Sequence, residues 1–174
     1  MALLWSNLDD PATREDVLTL ANALVHACPV AIAIGPPAAA RRIVDTLSDL
    51  ALRHGLVPWQ HWARGFEGRL LVEEGNAKAG AEMLRSALSA MEGMAFEVYM
   101  LETMGALSEG LRRLGQLGEA EVLADAAVTR SNATGELWCL PHLLQVKAAI
   151  VERDSTADRR WEADALRRDA LALG

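Results

Sequence analysis

The chain has 174 residues, of which 51% are apolar and 24% are charged, a composition that fits one folded domain with a sizeable core and excludes a disordered chain. The formal charge is −7, and arginines are mixed with acids through Glu152–Asp169, which disfavours direct binding to nucleic acid because that needs a basic face. Aromatic residues make up only 5%, so alanine, leucine and valine must supply the core, and this bias favours helices over strands.

The N-terminal part of the chain predicts a short extension followed by a buried helix. Residues 1–12 lack the basic start and the apolar run of a signal peptide, and we assign them to an N-terminal extension. The next residues predict a helix over 13–33, with a kink or a split at Pro29. The apolar run within this segment, Ala23–Gly35, is too short to span a bilayer comfortably. It therefore predicts a core helix and no membrane partner.

A repeat of 40 residues runs through the chain from this first helix onward. Glycine or serine recurs at that spacing, at Gly35, Gly75, Gly115 and Ser155. Small residues stand seven positions before each of the four (Cys28, Gly68, Ser108 and Ala148) and five positions after the first three (Ala40, Gly80 and Ala120). Such a register predicts stacked helix–turn–helix units. The glycine takes the left-handed conformation that ends the first helix, and the small residues let the two helices approach closely.

The register predicts eight helices in four pairs, near 13–33 and 37–54, 58–74 and 77–92, 96–114 and 118–132, and 138–153 and 158–172. One pair cannot bury its own apolar face, so the units are expected to stack within a single helical-repeat domain, 13–174. The predicted fold class is all-α, a right-handed α-solenoid of about four tetratricopeptide-like repeats with a period of 40. The fourth unit departs from the pattern at "DSTAD" (154–158), as terminal units that act as caps commonly do.

Three stretches carry a resemblance to known proteins: "RHGLVPWQHWARGFEGRLLVEEG" (Arg53–Gly75), "LSEGLRRLGQLGEA" (Leu107–Ala120) and "TGELWCLPHLLQVKAAIV" (Thr134–Val151). Their small residues around a turn glycine resemble the tetratricopeptide repeat, whose period is about 34. Across residues 16–172 the chain looks more like the C-terminal helical-repeat region of large bacterial transcriptional regulators, in which a winged-helix domain and an ATPase module come first. That family typically has Glu and Gly where this chain has His142 and Ala148. The resemblance implies an array for signal transduction, which senses a ligand or binds a partner and regulates an attached or separate winged-helix/ATPase protein.

No arrangement of residues in the sequence predicts catalysis, so we expect a protein that is not an enzyme. His142 and Cys139 share a helix face and make half of a metal site, but no second pair at ligand spacing follows, so we expect no metal and no cofactor. His61 and Trp62 are explained more simply by packing between two units. The segment "GPPAAARR" lacks the lysine of a phosphate loop, and no serine lies in a GxSxG elbow. Cys28 and Cys139 form no CxxC pair and predict two buried thiols in the reducing cytoplasm.

The first helix of each pair is expected to line the concave face of such an array. The candidate partner-binding residues on that face are Trp62, Arg69, Glu102, Glu109, Arg112, His142 and Gln145. Their charges suit a peptide, and Trp62 would anchor an apolar side chain of that peptide. The alternative is that these residues only solvate the face and pair with one another. The leading hypothesis is a non-catalytic protein-interaction or sensor domain with a protein or peptide partner.

Two other hypotheses stay open. One is a small-molecule-binding or hydrolytic domain, with a pocket on the concave face near Trp62 and His61 and a histidine whose pKa is perturbed. The other is a scaffold that associates with itself as a homodimer, which an exposed apolar end of the array would favour.

Overall fold

The computed structural model describes residues 16–94, 98–153 and 157–173. Within these ranges the chain forms eight α-helices and no β-strand, which confirms the all-α prediction. The helices are α1 (Val17–Ile34), α2 (Pro37–Arg53), α3 (Val57–Glu73), α4 (Ala77–Met91), α5 (Met100–Arg113), α6 (Leu117–Thr134), α7 (Leu140–Val151) and α8 (Ala157–Leu173). The predicted extension, 1–12, lies outside the described residues, as do the first residues of the helix predicted over 13–33.

Six of the eight helices begin and end within two residues of the predicted bounds. The helix predicted from residue 96 differs, because its described part begins only at Met100. Tyr99 precedes it with a φ of 65°, a left-handed conformation that cannot belong to a right-handed helix. Pro29 does not split α1, which is continuous from Val17 to Ile34, so of the two predicted outcomes only a kink remains. The buried face of α1 holds the helix together across the proline.

Two of the three turn glycines behave as the register predicts, and one does not. Gly75 and Gly115 have φ values of 93° and 77°, the left-handed region that a helix end needs and that glycine adopts cheaply. Gly35 has φ −88° and ψ 162°, so the prediction of a left-handed residue there is wrong. The reason is Pro36, since the ring of a proline drives the preceding residue into extended conformations.

The small residues at the shared offsets do bring two helices close together in the second unit. A Cβ atom added at Gly80 on α4 would lie 2.7 Å from the carbonyl oxygen of Gly68 and 2.9 Å from the backbone nitrogen of Val72, both on α3. Ordinary contacts of a Cβ atom begin near 3.4 Å. The corresponding residues of the first and third units are also buried: Cys28, Ala40, Ser108 and Ala120. Small side chains at these positions therefore set the distance between the helices of a pair.

Contacts between helices follow the order of the chain. Each helix packs against the next one, and α1, α3, α5 and α7 also contact one another in that order. Two ion pairs also join even-numbered helices within the described ranges, Arg85 on α4 with Glu119 on α6 and Arg159 on α8 with Glu121 on α6. The odd-numbered helices therefore form one continuous row, and each even-numbered helix lies against its neighbours in sequence.

The first helix of this row is unusually apolar. By length and composition alone α1 could cross a membrane, with 18 residues and a mean hydropathy of 2.0. One of its faces nevertheless belongs to the core, where Ala21, Cys28 and Ala31 are fully buried. Its opposite face exposes Val30 and Ile34. Core helices of folded proteins share this composition, so the finding is weak evidence for a membrane segment.

Candidate binding site

A cavity of about 340 Å³ opens on the row of odd-numbered helices. Helix α1 supplies an apolar wall, and one polar side chain comes from each of α3, α5 and α7. Two further residues precede α7 in the link from α6. The lining consists of Pro29, Val30, Ala33, Arg69, Glu102, Trp138, Cys139 and His142. The site thus collects residues from across more than 110 positions of sequence, Pro29 to His142.

An ion pair lies in the wall of this cavity. Arg69 donates from Nη1 to Glu102 Oε1 and from Nε to Glu73 Oε1, the latter at 3.0 Å. The Arg69 and Glu102 side chains are only 13% and 5% exposed, so the pair is largely removed from water. Burial raises the pKa of Glu102 above its ordinary value, although the charge of Arg69 acts in the opposite direction.

The second carboxylate oxygen of Glu102 has no hydrogen bond. Oε2 is buried, and no donor among the described residues lies within reach of it. A buried carboxylate oxygen normally accepts at least one hydrogen bond, because leaving it without one costs about 1–3 kcal/mol. Glu102, one of the lining residues, therefore carries a buried acceptor that the surrounding protein does not satisfy.

His142 contributes an uncharged ring to the same wall. Burial lowers its pKa to about 4, with the Arg69 charge adding to the effect and Glu109 opposing it. At neutral pH the ring is therefore neutral and offers one donor and one acceptor nitrogen. Burial also raises the pKa of the adjacent Cys139 to about 11, which keeps it a thiol and a poor nucleophile or metal ligand.

A second cavity of about 310 Å³ adjoins the first, with which it shares Pro29 and Trp138. Its floor contains Tyr99, whose hydroxyl lies 2.5 Å from His26 Nδ1. The ring of Tyr99 also contacts Phe66 and Trp138 edge to face, with centroids 5.1 and 6.0 Å apart. This aromatic cluster holds Tyr99 in its left-handed conformation, which costs about 1 kcal/mol or more in a residue with a side chain.

The structure brings together three of the seven predicted binding residues: Arg69, Glu102 and His142. Trp62 is not available to a partner, because it is only 7% exposed and packs between Trp59 and Tyr99 in the core. The aromatic ring at the cavity is instead Trp138, which is 57% exposed.

The other three predicted residues lie away from this cavity. Arg112 forms two hydrogen bonds of 2.7 Å with Glu109, which also accepts one from Arg113 at 2.6 Å. Burial alone would raise the pKa of Glu109. The hydrogen bonds and charges of these two arginines outweigh burial, so the pKa of Glu109 lies below its ordinary value. Gln145 is exposed and lines a separate depression beside Ala149 on α7 and two residues of α8. The charges predicted for the groove therefore pair mainly with one another.

Sequence reasoning missed the α1 wall and Trp138, although one signal was present. Arg69 stands one position after the small residue of its unit, and Pro29 stands one position after Cys28 in the first unit. The offset that selects Arg69 therefore selects Pro29 as well. Trp138 carries no such signal, because it belongs to the link between two units.

Among the residues that the structure describes, no group of three His, Cys, Asp or Glu side chains could hold a metal ion. In comparisons with known proteins, the chain matches no family model, no curated protein and no solved structure. The arrangement of the cavity itself is therefore the basis for any functional inference.

Proposed function

We propose that this protein is a non-catalytic sensor module that binds a ligand in the cavity formed by α1, α3, α5 and α7. The single observation that carries the proposal is the convergence of four helices on a cavity of about 340 Å³ with mainly apolar walls and a buried ion pair among its lining residues. Pockets that bind small ligands combine these elements, a mainly apolar lining and a few convergent polar groups.

We further propose that the helices form a right-handed α-solenoid of about four tetratricopeptide-like units with a period of 40. The order of contacts, in which helices touch only near neighbours, supports this architecture. The close approach of Gly68 and Gly80 at the repeated offsets supports it as well. A ligand in the row of odd-numbered helices would contact all four units at once and bias how they stack. That is the coupling a regulatory array needs, in keeping with the resemblance to the helical-repeat region of bacterial regulators.

Ligand sensing is better supported than recognition of a charged peptide along the groove. Arg69 and Glu102 pair with each other, and Glu109 pairs with Arg112, so these side chains have little capacity left for a peptide's charges. Trp62, the proposed anchor, is buried. A partner protein would then respond to the occupied array through another surface.

Filling the cavity tests the proposal. Val30 lines the cavity and is 45% exposed, so Val30→Trp should fold and occupy the cavity with its own ring. Val122 on α6 is 72% exposed and lies outside the cavity, which makes Val122→Trp the matched control. Ligand-observed NMR with a library of small fragments should find compounds that bind the wild type and Val122→Trp but lose binding to Val30→Trp. If no fragment separates the two variants, the cavity is not a binding site.

A further inference from the structure

We propose that the cavity recognises its ligand through an uncharged carbonyl oxygen, which accepts hydrogen bonds from His142 and Arg69, on a flat apolar body that lies against α1 and Trp138. This inference rests on the proposed function, since it names the class of ligand for the same cavity. It depends on three features of the site: two donors without an acceptor among the described residues, the carboxylates that share Arg69, and the apolar wall.

His142 has a hydrogen-bonding capacity that the protein leaves unused. Its ring lines the cavity, and neither ring nitrogen bonds to a residue that the structure describes. The fully buried side-chain atoms without a partner in this part of the chain are Trp59 Nε1, Trp62 Nε1 and Glu102 Oε2. The nitrogens of His142 do not belong to this set, so they keep accessible surface where the free oxygen of Glu102 has none. The neutral ring holds one proton, which either nitrogen can carry and donate to an oxygen of the ligand.

Arg69 supplies the second donor. Its Nε and Nη1 atoms bond to Glu73 and Glu102, whereas Nη2 has no acceptor within the described ranges and is not fully buried. The guanidinium lies close enough to His142 for its charge to help lower the pKa of that ring. A carbonyl oxygen has two lone pairs, so one such atom can accept from both side chains at once.

The carboxylates around Arg69 disfavour a charged acceptor. Glu73 and Glu102 share the single guanidinium, so its charge is not available to an anionic ligand. Such a ligand would instead bring a third negative group to this wall, in a place that is poorly hydrated. An ammonium group would bring a positive charge to the guanidinium and no lone pair for either donor. An uncharged oxygen avoids both costs.

The apolar wall determines the body of the ligand. Pro29, Val30 and Ala33 present no polar side chain, and Trp138 offers an aromatic ring at the same cavity. The cavity volume of about 340 Å³ is roughly twice the 150 Å³ or so of a cavity that holds one benzene molecule. Two fused rings, packed edge to face or offset against Trp138, would suit this space.

Four probes of similar size separate the possibilities. 1-Indanone carries the carbonyl oxygen, and indane has the same fused rings without it. Indane-1-carboxylate and protonated 1-aminoindane carry the two charges. Titration of the isotope-labelled wild-type protein, followed by NMR, should show 1-indanone binding about tenfold more tightly than indane and either charged probe. Indane is expected to bind weakly because it would cover the two donors without replacing their hydrogen bonds to water.

The inference is overturned if indane binds within about threefold of 1-indanone, if a charged probe binds best, or if none of the four binds. Fragments that separate Val30→Trp from Val122→Trp without carrying an uncharged oxygen acceptor would sink this inference and leave the proposed function standing. A library in which no fragment separates those two variants would remove the proposed function itself.

A variant locates the effect at the imidazole. His142→Phe keeps a flat ring in the wall but removes both nitrogens. The preference for 1-indanone over indane should fall to about threefold or less, because only Arg69 still donates, and an undiminished preference would contradict the inference. His61 on α3 is also partly buried and does not line the cavity, so His61→Phe should retain the full preference. Circular dichroism checks that both variants fold, and the wild-type probe series decides the matter even if His142→Phe does not.

Discussion

Substitution of Gly80 by alanine should weaken the packing of α3 on α4. The added Cβ atom would lie 2.6 Å from Val72 Cγ2, 2.7 Å from the Gly68 carbonyl oxygen and 2.9 Å from the Val72 nitrogen. Two of these three atoms belong to the backbone and cannot rotate away. To restore ordinary contacts near 3.4 Å, the two helices would have to separate by about 0.7 Å, the difference between 3.4 and 2.7 Å.

The expected loss follows from two opposing terms. Overpacking a close helix contact costs about 1–3 kcal/mol, and more where the backbone must shift. Alanine recovers about 1 kcal/mol because it is a better helix former than glycine. We expect a net loss of about 1–2 kcal/mol in the free energy of unfolding, which lowers Tm by about 2–8 °C for a chain of this size.

Gly118→Ala is the matched control. Gly118 lies in the first turn of α6, and a Cβ atom added there meets nothing within 4 Å. This variant should gain about 0.5 kcal/mol from helix propensity alone. Urea unfolding followed by far-UV circular dichroism measures both variants against the wild type. If Gly80→Ala proves as stable as Gly118→Ala, the reasoning about helix distance is refuted.

Three further outcomes are expected. Burial gives His142 a pKa of about 4 in the folded protein, against 6.5 ordinarily. As the pH falls from 6.5 to 4, the unfolded chain therefore takes up this proton and the folded protein does not, which lowers the free energy of unfolding by about 3 kcal/mol. Urea titrations at pH 7 and pH 4 should show that His142→Gln loses correspondingly less than the wild type, and equal losses would contradict the assigned pKa. Arg69→Met should lower the free energy of unfolding by about 3 kcal/mol, because it leaves the buried Glu102 without its cationic partner. Arg41→Met removes a more exposed pair with Glu74 and should cost less than about 1 kcal/mol in the same urea titration. Gly115→Ala should lower the free energy of unfolding by about 1 kcal/mol, because alanine is strained at a φ of 77°. Gly35→Ala is the comparison, since its φ of −88° suits alanine, and equal calorimetric Tm values for the two variants would contradict the strain at Gly115.

The helices could be predicted from the sequence because local signals mark their ends. Gly75 and Gly115 stand where a left-handed residue ends a helix, and the apolar positions between turns follow the helical period. Gly35 shows the limit of the repeat as a guide, since the local effect of Pro36 outweighs the shared register. Tyr99 shows another limit, because its left-handed backbone depends on aromatic neighbours that are distant in sequence.

The candidate site could be predicted from the sequence only in part. The repeat offsets correctly bring Arg69 and Glu102, 33 residues apart, to one wall. The same offsets do not reveal that the two side chains would satisfy each other or that one oxygen would be left over. They also place Trp62 on the groove, whereas the large ring is buried among other aromatics. How deep a side chain lies depends on the neighbouring units together, which a pattern within one unit does not encode.

The order of contacts between the helices has a consequence for how the protein assembles. Because each helix packs against partners one or two places away within the described ranges, most contacts close short loops, which lose little entropy; the contact between His26 and Tyr99, 73 residues apart, is an exception. Such chains fold rapidly, in microseconds to milliseconds for helical proteins of low contact order. It also means that the array can fray one helix at a time, and because α1 forms a wall of the cavity, the loss of this one helix would open the cavity while the remaining helices stay packed.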